Sequence, residues 1–98
     1  MPRYLSLITF TDEGTKTIRD FEKRVTTARE RIARAGGNLI EVYLSFGEYD
    51  SVAITEWPDD ELALRGLLES KLAGHVRSHY LRLYTEEEAF RITKAIGA

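Results

Sequence analysis

The 98-residue sequence predicts an α+β fold, one antiparallel sheet with two helices on a single face, and three observations predict it. Four short runs rich in β-branched and aromatic residues alternate with two longer segments whose apolar residues recur every three or four positions. Two of those runs are joined by only three residues, a connection of hairpin length. The composition, 43% hydrophobic and 31% charged, is that of a folded globular domain, and the length suits one domain, residues 1–98, with one core.

Each element has a local reason. Residues 3–10 (RYLSLITF) read as a strand, closed by Thr11-Asp12-Glu13-Gly14 at a helix start. Ile18, Phe21, Val25, Ala28, Ile32 and Ala35 then form one apolar stripe on an amphipathic helix, and Gly36-Gly37 ends it. Gly14 and Asp20 mark a short first turn apart from the main helix. Residues 39–46 and 50–57 read as strands of a hairpin through Gly47-Glu48-Tyr49. Pro58 stops the second, and Asp59-Asp60-Glu61 supplies a cap and an acidic first turn for the next helix. That helix carries Leu64, Leu67, Leu68 and Leu72 as its expected core face, with Gly66 placed for close packing and Gly74 at its end. Residues 76–84 alternate as the last strand. Thr85 and Glu88 form a capping box for a terminal helix reaching about Ile96.

The order βαββαβ plus a terminal helix is the split βαβ arrangement of a ferredoxin-like sandwich. Strand alternation sorts the sheet residues into two sets. Leu5, Leu7, Val42, Leu44, Phe46, Val52, Ile54, Leu81 and Leu83 form an aliphatic set, expected beneath the helices. Tyr4, Ser6, Tyr43, Ser51, Thr55, Trp57, Ser78, Tyr80, Arg82 and Tyr84 share the other face with Ile8, Phe10, Glu41, Ser45 and Ala53. That tyrosine-rich face is expected to be left open and to pair with a second copy, giving a homodimer of the dimeric α/β barrel type or a higher oligomer.

The chemistry-bearing residues exclude more than they assign. A net charge of −2 offers no field for nucleic acid, and the tyrosines lack the basic neighbours an RNA-binding sheet needs. No cysteine is present, which removes thiolate zinc sites and thiol nucleophiles. His75 and His79 are four apart on a strand, about 13 Å, too far to share a metal ion. No nucleophile elbow, phosphate loop or dinucleotide fingerprint occurs. The residues therefore leave open whether the chain is an enzyme, and they point to no metal and no cofactor. The Met-Pro-Arg-Tyr-Leu-Ser start has neither a long uncharged apolar stretch nor a small-residue cleavage site, so a cytoplasmic protein without membrane contact is expected.

The most informative segment is Gly47-Glu48-Tyr49-Asp50. Gly47 is expected at positive φ, while Tyr49 and Asp50 present a phenol and a carboxylate on one tight turn. They are suited either to hold the turn or to bind a polar ligand and move a proton. Gly47-x-Tyr49-Asp50 with Ser51-Val52-Ala53-Ile54 after it and Tyr43-Leu44 before it resembles the GYD domain family, as do Phe10-Thr11-Asp12-x-Gly14, Ala35-Gly36-Gly37, Pro58-Asp59-Asp60, Val76-Arg77 and Leu81-Arg82 before Thr85-Glu86-Glu87-Glu88. The resemblance spans nearly the whole chain and implies a ferredoxin-like subunit of the dimeric α/β barrel type, with no established activity. Related sequences often carry a proline near position 22, where this chain has Glu22, which removes one reason for a break in the first helix.

Two functions follow as expectations. One is a small polar ligand bound between or beside the sheets by Tyr43, Tyr49, Asp50, Thr55, Ser78, Tyr80 and Arg82, with Arg82 anchoring an anion and a tyrosine donating a proton. The other is a non-catalytic assembly or sensor module whose sheet face binds a second copy, Glu41 and Arg82 pairing across the interface.

Overall fold

A computed structural model describes residues 1–97. The elements run β1 (Arg3–Phe10), α1 (Asp12–Lys16), a 3₁₀ turn (Ile18–Asp20), α2 (Phe21–Arg34), β2 (Asn38–Leu44), β3 (Ser51–Glu56), α3 (Asp60–Leu72), β4 (Val76–Leu83) and α4 (Glu86–Lys94). The sheet order is β2-β3-β1-β4, every neighbouring pair antiparallel. This is the ferredoxin-like sandwich the element order implies.

The caps are where the side chains place them. Thr11 accepts from the Gly14 amide, Asp59 from the Leu62 amide, and Thr85 with Glu88 closes a full capping box. The first helix is broken without a proline. The Arg24 guanidinium takes over the orphaned groups at the break, donating to the Thr17 carbonyl at 3.0 Å and the Thr17 hydroxyl at 2.8 Å.

In β1, β3 and β4 the two faces are the reverse of the sequence-based expectation. Tyr4, Ser6, Ser51, Ala53, Thr55 and Trp57 are buried, and Tyr4 and Trp57 form the core with Ile32 of α2 and Ala63 of α3, flanked by Leu39, Leu62 and Tyr80. The helices therefore lie over the aromatic face. The register aligns Leu5 with Ile54 and Leu81, and Leu7 with Val52 and His79, so the aliphatic set forms the face without helices. Alternation separates residues into two sets but does not say which set the helices cover, and aromatic rings bury more area per residue than aliphatic ones.

An irregularity between Leu39 and Glu41 changes the parity within β2. Val42 now aligns with Ala53 and Leu44 with Ser51 on the helix side, while Glu41 and Tyr43 align with Ile54 and Val52 on the open side. Val42 and Leu44 thus lie on the side expected of them and so do Glu41 and Tyr43, because the irregularity offsets in β2 the reversal seen in the other strands. The sheet-facing side of α3 also differs from the expected leucine face. Its buried residues are Ala63 and Gly66, whereas Leu64, Leu68 and Leu72 point outward. Small residues face the sheet because the Trp57 indole already fills the space: a Cβ on Gly66 would lie 2.3 Å from the ring.

Candidate functional site

The sequence-nominated residues fall into three separate places. The first is a closed network beneath the helices. The Trp57 indole N–H lies 3.2 Å from both the Thr55 hydroxyl and the Tyr80 hydroxyl, and those two hydroxyls lie 3.2 Å from each other. Tyr80 stacks on Tyr4 with ring centroids 5.5 Å apart. Tyr4 in turn donates to the Asp60 carboxylate at the start of α3. Burial, then the hydrogen bond to Asp60 and its negative charge, pushes the Tyr4 phenol up to about 12. A phenol held that firmly protonated serves as a donor, not as a base. Ser78, half-buried on the same face of β4, aligns with Ile8.

Arg82 occupies the second place, at the end of the sheet. Its guanidinium lies 4.3 Å from the Tyr84 ring centroid and 5.8 Å from that of Tyr4, with Nε 3.9 Å from Asp60 Oδ1. Beside it, Met1, Pro2, Arg3, Glu56, Thr85 and Glu88 line a cleft of about 360 Å³. Arg3 pairs with Glu56 at 3.4 Å, and the capping hydrogen bond from the Thr85 amide holds the Glu88 carboxyl below its ordinary range. Arg82 belongs to the helix-covered face and Glu41 to the open one, so the pairing of these two across a sheet-to-sheet interface does not fit the register.

The third place is the hairpin turn. Gly47 takes φ +92°, as its position required. Asp50 does not serve the turn amides. Its carboxylate accepts from the Phe10 amide at 2.8 Å and its own amide donates to the Ile8 carbonyl at 2.8 Å, tying the turn to the end of β1. The Ser45 hydroxyl closes the turn on the Tyr49 carbonyl at 2.7 Å. The Tyr49 ring meets His79 edge-on at 6.0 Å. On the open face Tyr43 donates to Glu41 at 2.5 Å, and that carboxylate raises the phenol above its ordinary range.

The structure thus brings Thr55 and Tyr80 together, but it turns the Tyr49 ring to His79 and the Asp50 carboxylate to the Phe10 amide, and it does not gather Tyr43, Asp50, Tyr80 and Arg82 around one point. Among the described residues no group of three His, Asp or Glu side chains lies close enough to hold a metal ion, and no helix is long and apolar enough to cross a membrane. What the sequence reading missed is the surface that is open. Leu5, Leu7, Val52, Ile54, Leu81 and Leu83 form an aliphatic strip across the three strands β3, β1 and β4, with Leu81 47% exposed. The missing signal was polarity: Ser6, Ser51 and Thr55 looked solvent-ready, yet each is small enough to sit beneath helices whose own contact residues are Ala63, Gly66 and Ile32.

Fold, broken first helix, capped third helix and Gly-x-Tyr-Asp tether together define a small ferredoxin-like α+β domain. The model of the GYD domain matches residues 4–93, and the chain belongs to that family. It is 28% identical over 79 residues to the glutamine synthetase and cystathionine beta-lyase binding protein of Thermus thermophilus, a match covering 80% of this chain and 83% of that one. The crystal structure of MtbAldR superimposes with a TM-score of 0.67 at 17% identity, covering 87% of this chain. This chain accounts for 54% of the length of that one, and the likeness is one of fold.

Proposed function

We propose that the protein is a non-catalytic, cytoplasmic protein-binding module that pairs with a second copy through its open sheet face and, as the relative's name states of that protein, docks onto metabolic enzymes. The observation that carries this reading is the aliphatic strip of Leu5, Leu7, Val52, Ile54, Leu81 and Leu83, which no helix among the described residues covers. A sheet face that met only water would alternate to polar residues; this one alternates to leucine, isoleucine and valine. The matching faces of two copies supply a cover of the same size and chemistry, the self-complementary case of a two-fold dimer.

Leu7 lies on the central strand between Val52 and His79, so Leu7→Glu places a charge in the middle of the contact. Light scattering should show wild type with at least two chains and the variant with half that mass at unchanged circular dichroism. A wild-type monomer at micromolar concentration overturns the pairing. The enzyme contact is tested separately, by calorimetric titration of the protein with the glutamine synthetase and cystathionine beta-lyase of its own organism; absence of heat with both removes it.

One observation favours a second reading, a small polar ligand: the cleft of about 360 Å³ beside Arg3, Arg82, Thr85 and Glu88. Two guanidiniums there suit a carboxylate or phosphate. Each already faces an acid, Glu56 or Asp60, so the cleft has little net positive field and this reading stands second. A thermal-shift screen with citrate, phosphate and amino acids, repeated on Arg82→Gln, decides it.

A further inference from the structure

Two further apolar stripes remain uncovered, and both lie on helices. On α3, Leu64, Leu68 and Leu72 follow one another at intervals of four along the side turned away from the sheet, and they are 55%, 51% and 87% exposed. With Ala63 and Gly66 packed on Trp57, this helix is apolar on both sides, the pattern of a helix buried between two layers. On α4 and the turn after it, Ala89, Ile92 and Ile96 fall at spacings of three and four on one side, Ile92 45% and Ile96 72% exposed.

A helix of nine residues is marginal in water when nothing packs on it, even with a complete capping box. All nine residues of α4 are exposed or half-buried. The molecule measures 54 × 32 × 18 Å with a radius of gyration of 15.0 Å, against about 13 Å for a compact domain of this length, as expected if α4 stands off from the sandwich.

We infer that α4 of one copy packs on the Leu64-Leu68-Leu72 ridge of α3 of another copy, forming a second interface distinct from the sheet-face pair. The stripes match in length. At 1.5 Å per residue, Leu64 to Leu72 spans about 12 Å and Ala89 to Ile96 about 10.5 Å. An i, i+4 ridge is also the surface that a second helix receives between its own side chains. The occupant is a copy of this chain because the chain itself carries both an apolar helix without a cover and a leucine ridge without one. A lipid surface fits less well, since α4 carries Glu86, Glu87 and Glu88 against Arg91 and Lys94, and interfacial helices are basic. Combined with sheet-face pairs, this contact builds assemblies of four chains or more.

The natural chain has no cysteine, so single cysteines report contacts cleanly. Leu68→Cys and Ile92→Cys chains, mixed and oxidised, should form the mixed disulfide at least tenfold faster than either forms a disulfide alone. Leu68→Cys mixed with Lys94→Cys, on the opposite side of α4, should not. By light scattering Leu68→Glu and Ile92→Glu should each halve the wild-type mass, and the double variant should go no further. A mixed disulfide no faster than the Lys94→Cys control, or an unchanged mass in either Glu variant, overturns the inference. If wild type is a dimer that Leu7→Glu alone makes monomeric, the sheet-face reading stands and this contact falls.

Discussion

Tyr4 is the residue on which the helix-covered face turns. Its ring is buried against Tyr80 and its hydroxyl reaches Asp60, which carries the charge at the helix start. Burial first, then the Asp60 hydrogen bond and charge, lifts the phenol from 10.0 to about 12. A folded value above the unfolded one means the native state holds the proton more tightly. The stabilisation is complete below pH 10 and is lost as pH rises from 10 towards 12. Spectrophotometric titration should therefore show one tyrosine ionising near 12, coincident with alkaline loss of stability. Asp60→Asn should lower that value only part of the way, because burial remains; a full return to 10 would mean the carboxylate, not burial, is the main cause. Little of this was legible in the sequence, where Tyr4 read as one more open-face tyrosine and Asp60 as part of a cap. The tether at Asp50 was half legible: a structural role for the carboxylate could be read, but as a hold on its own turn, whereas its partner, the Phe10 amide, lies on another strand.

At the scale of elements, the local signals were read well and the pairing of layers was not. Caps, glycine stops and the broken first helix are set by neighbours in sequence, and their residues name them; the hairpin forms too, but β2 ends at Leu44 and β3 begins at Ser51, so its connection is longer than the expected Gly47-Glu48-Tyr49 and takes in Ser45 and Phe46. The side of the sheet that the helices cover depends on tertiary fit, above all on α3 against Trp57. The four leucines at 64, 67, 68 and 72 dominate that helix by hydrophobicity, yet the contact went to Gly66 and Ala63 because only small residues fit over the indole. Gly66→Ala tests this. Alanine should gain about 1 kcal/mol in helix propensity, but its Cβ would meet the ring at 2.3 Å, and overpacking of a filled core typically costs about 1–3 kcal/mol. A net loss of up to about 2 kcal/mol is expected in urea unfolding, with quenching or shift of the fluorescence of Trp57, the one tryptophan in the chain. A net gain in stability would show that the helix can lift off the ring freely.

At the scale of the whole molecule, the question is how 98 residues that cover only one side of a sheet remain stable. A chain this small buries about two thirds or less of the surface its unfolded form exposes, and here a strip of leucine, isoleucine and valine stays outside that total. Burying one such side chain fully is worth about 1.5–3 kcal/mol. On the proposed pairing, association with a second copy supplies a substantial part of the stability, and that part depends on concentration by mass action. The midpoint of thermal unfolding should rise as protein concentration is raised from about 2 to about 200 μM, each sheet-face pair gaining RT ln 100, or about 2.7 kcal/mol, in stability. Leu7→Glu should unfold at a lower temperature and lose most of this dependence, since its sheet face no longer pairs. A midpoint independent of concentration in wild type would mean the sandwich is stable alone, and the aliphatic strip would then have to be explained by contacts with other proteins.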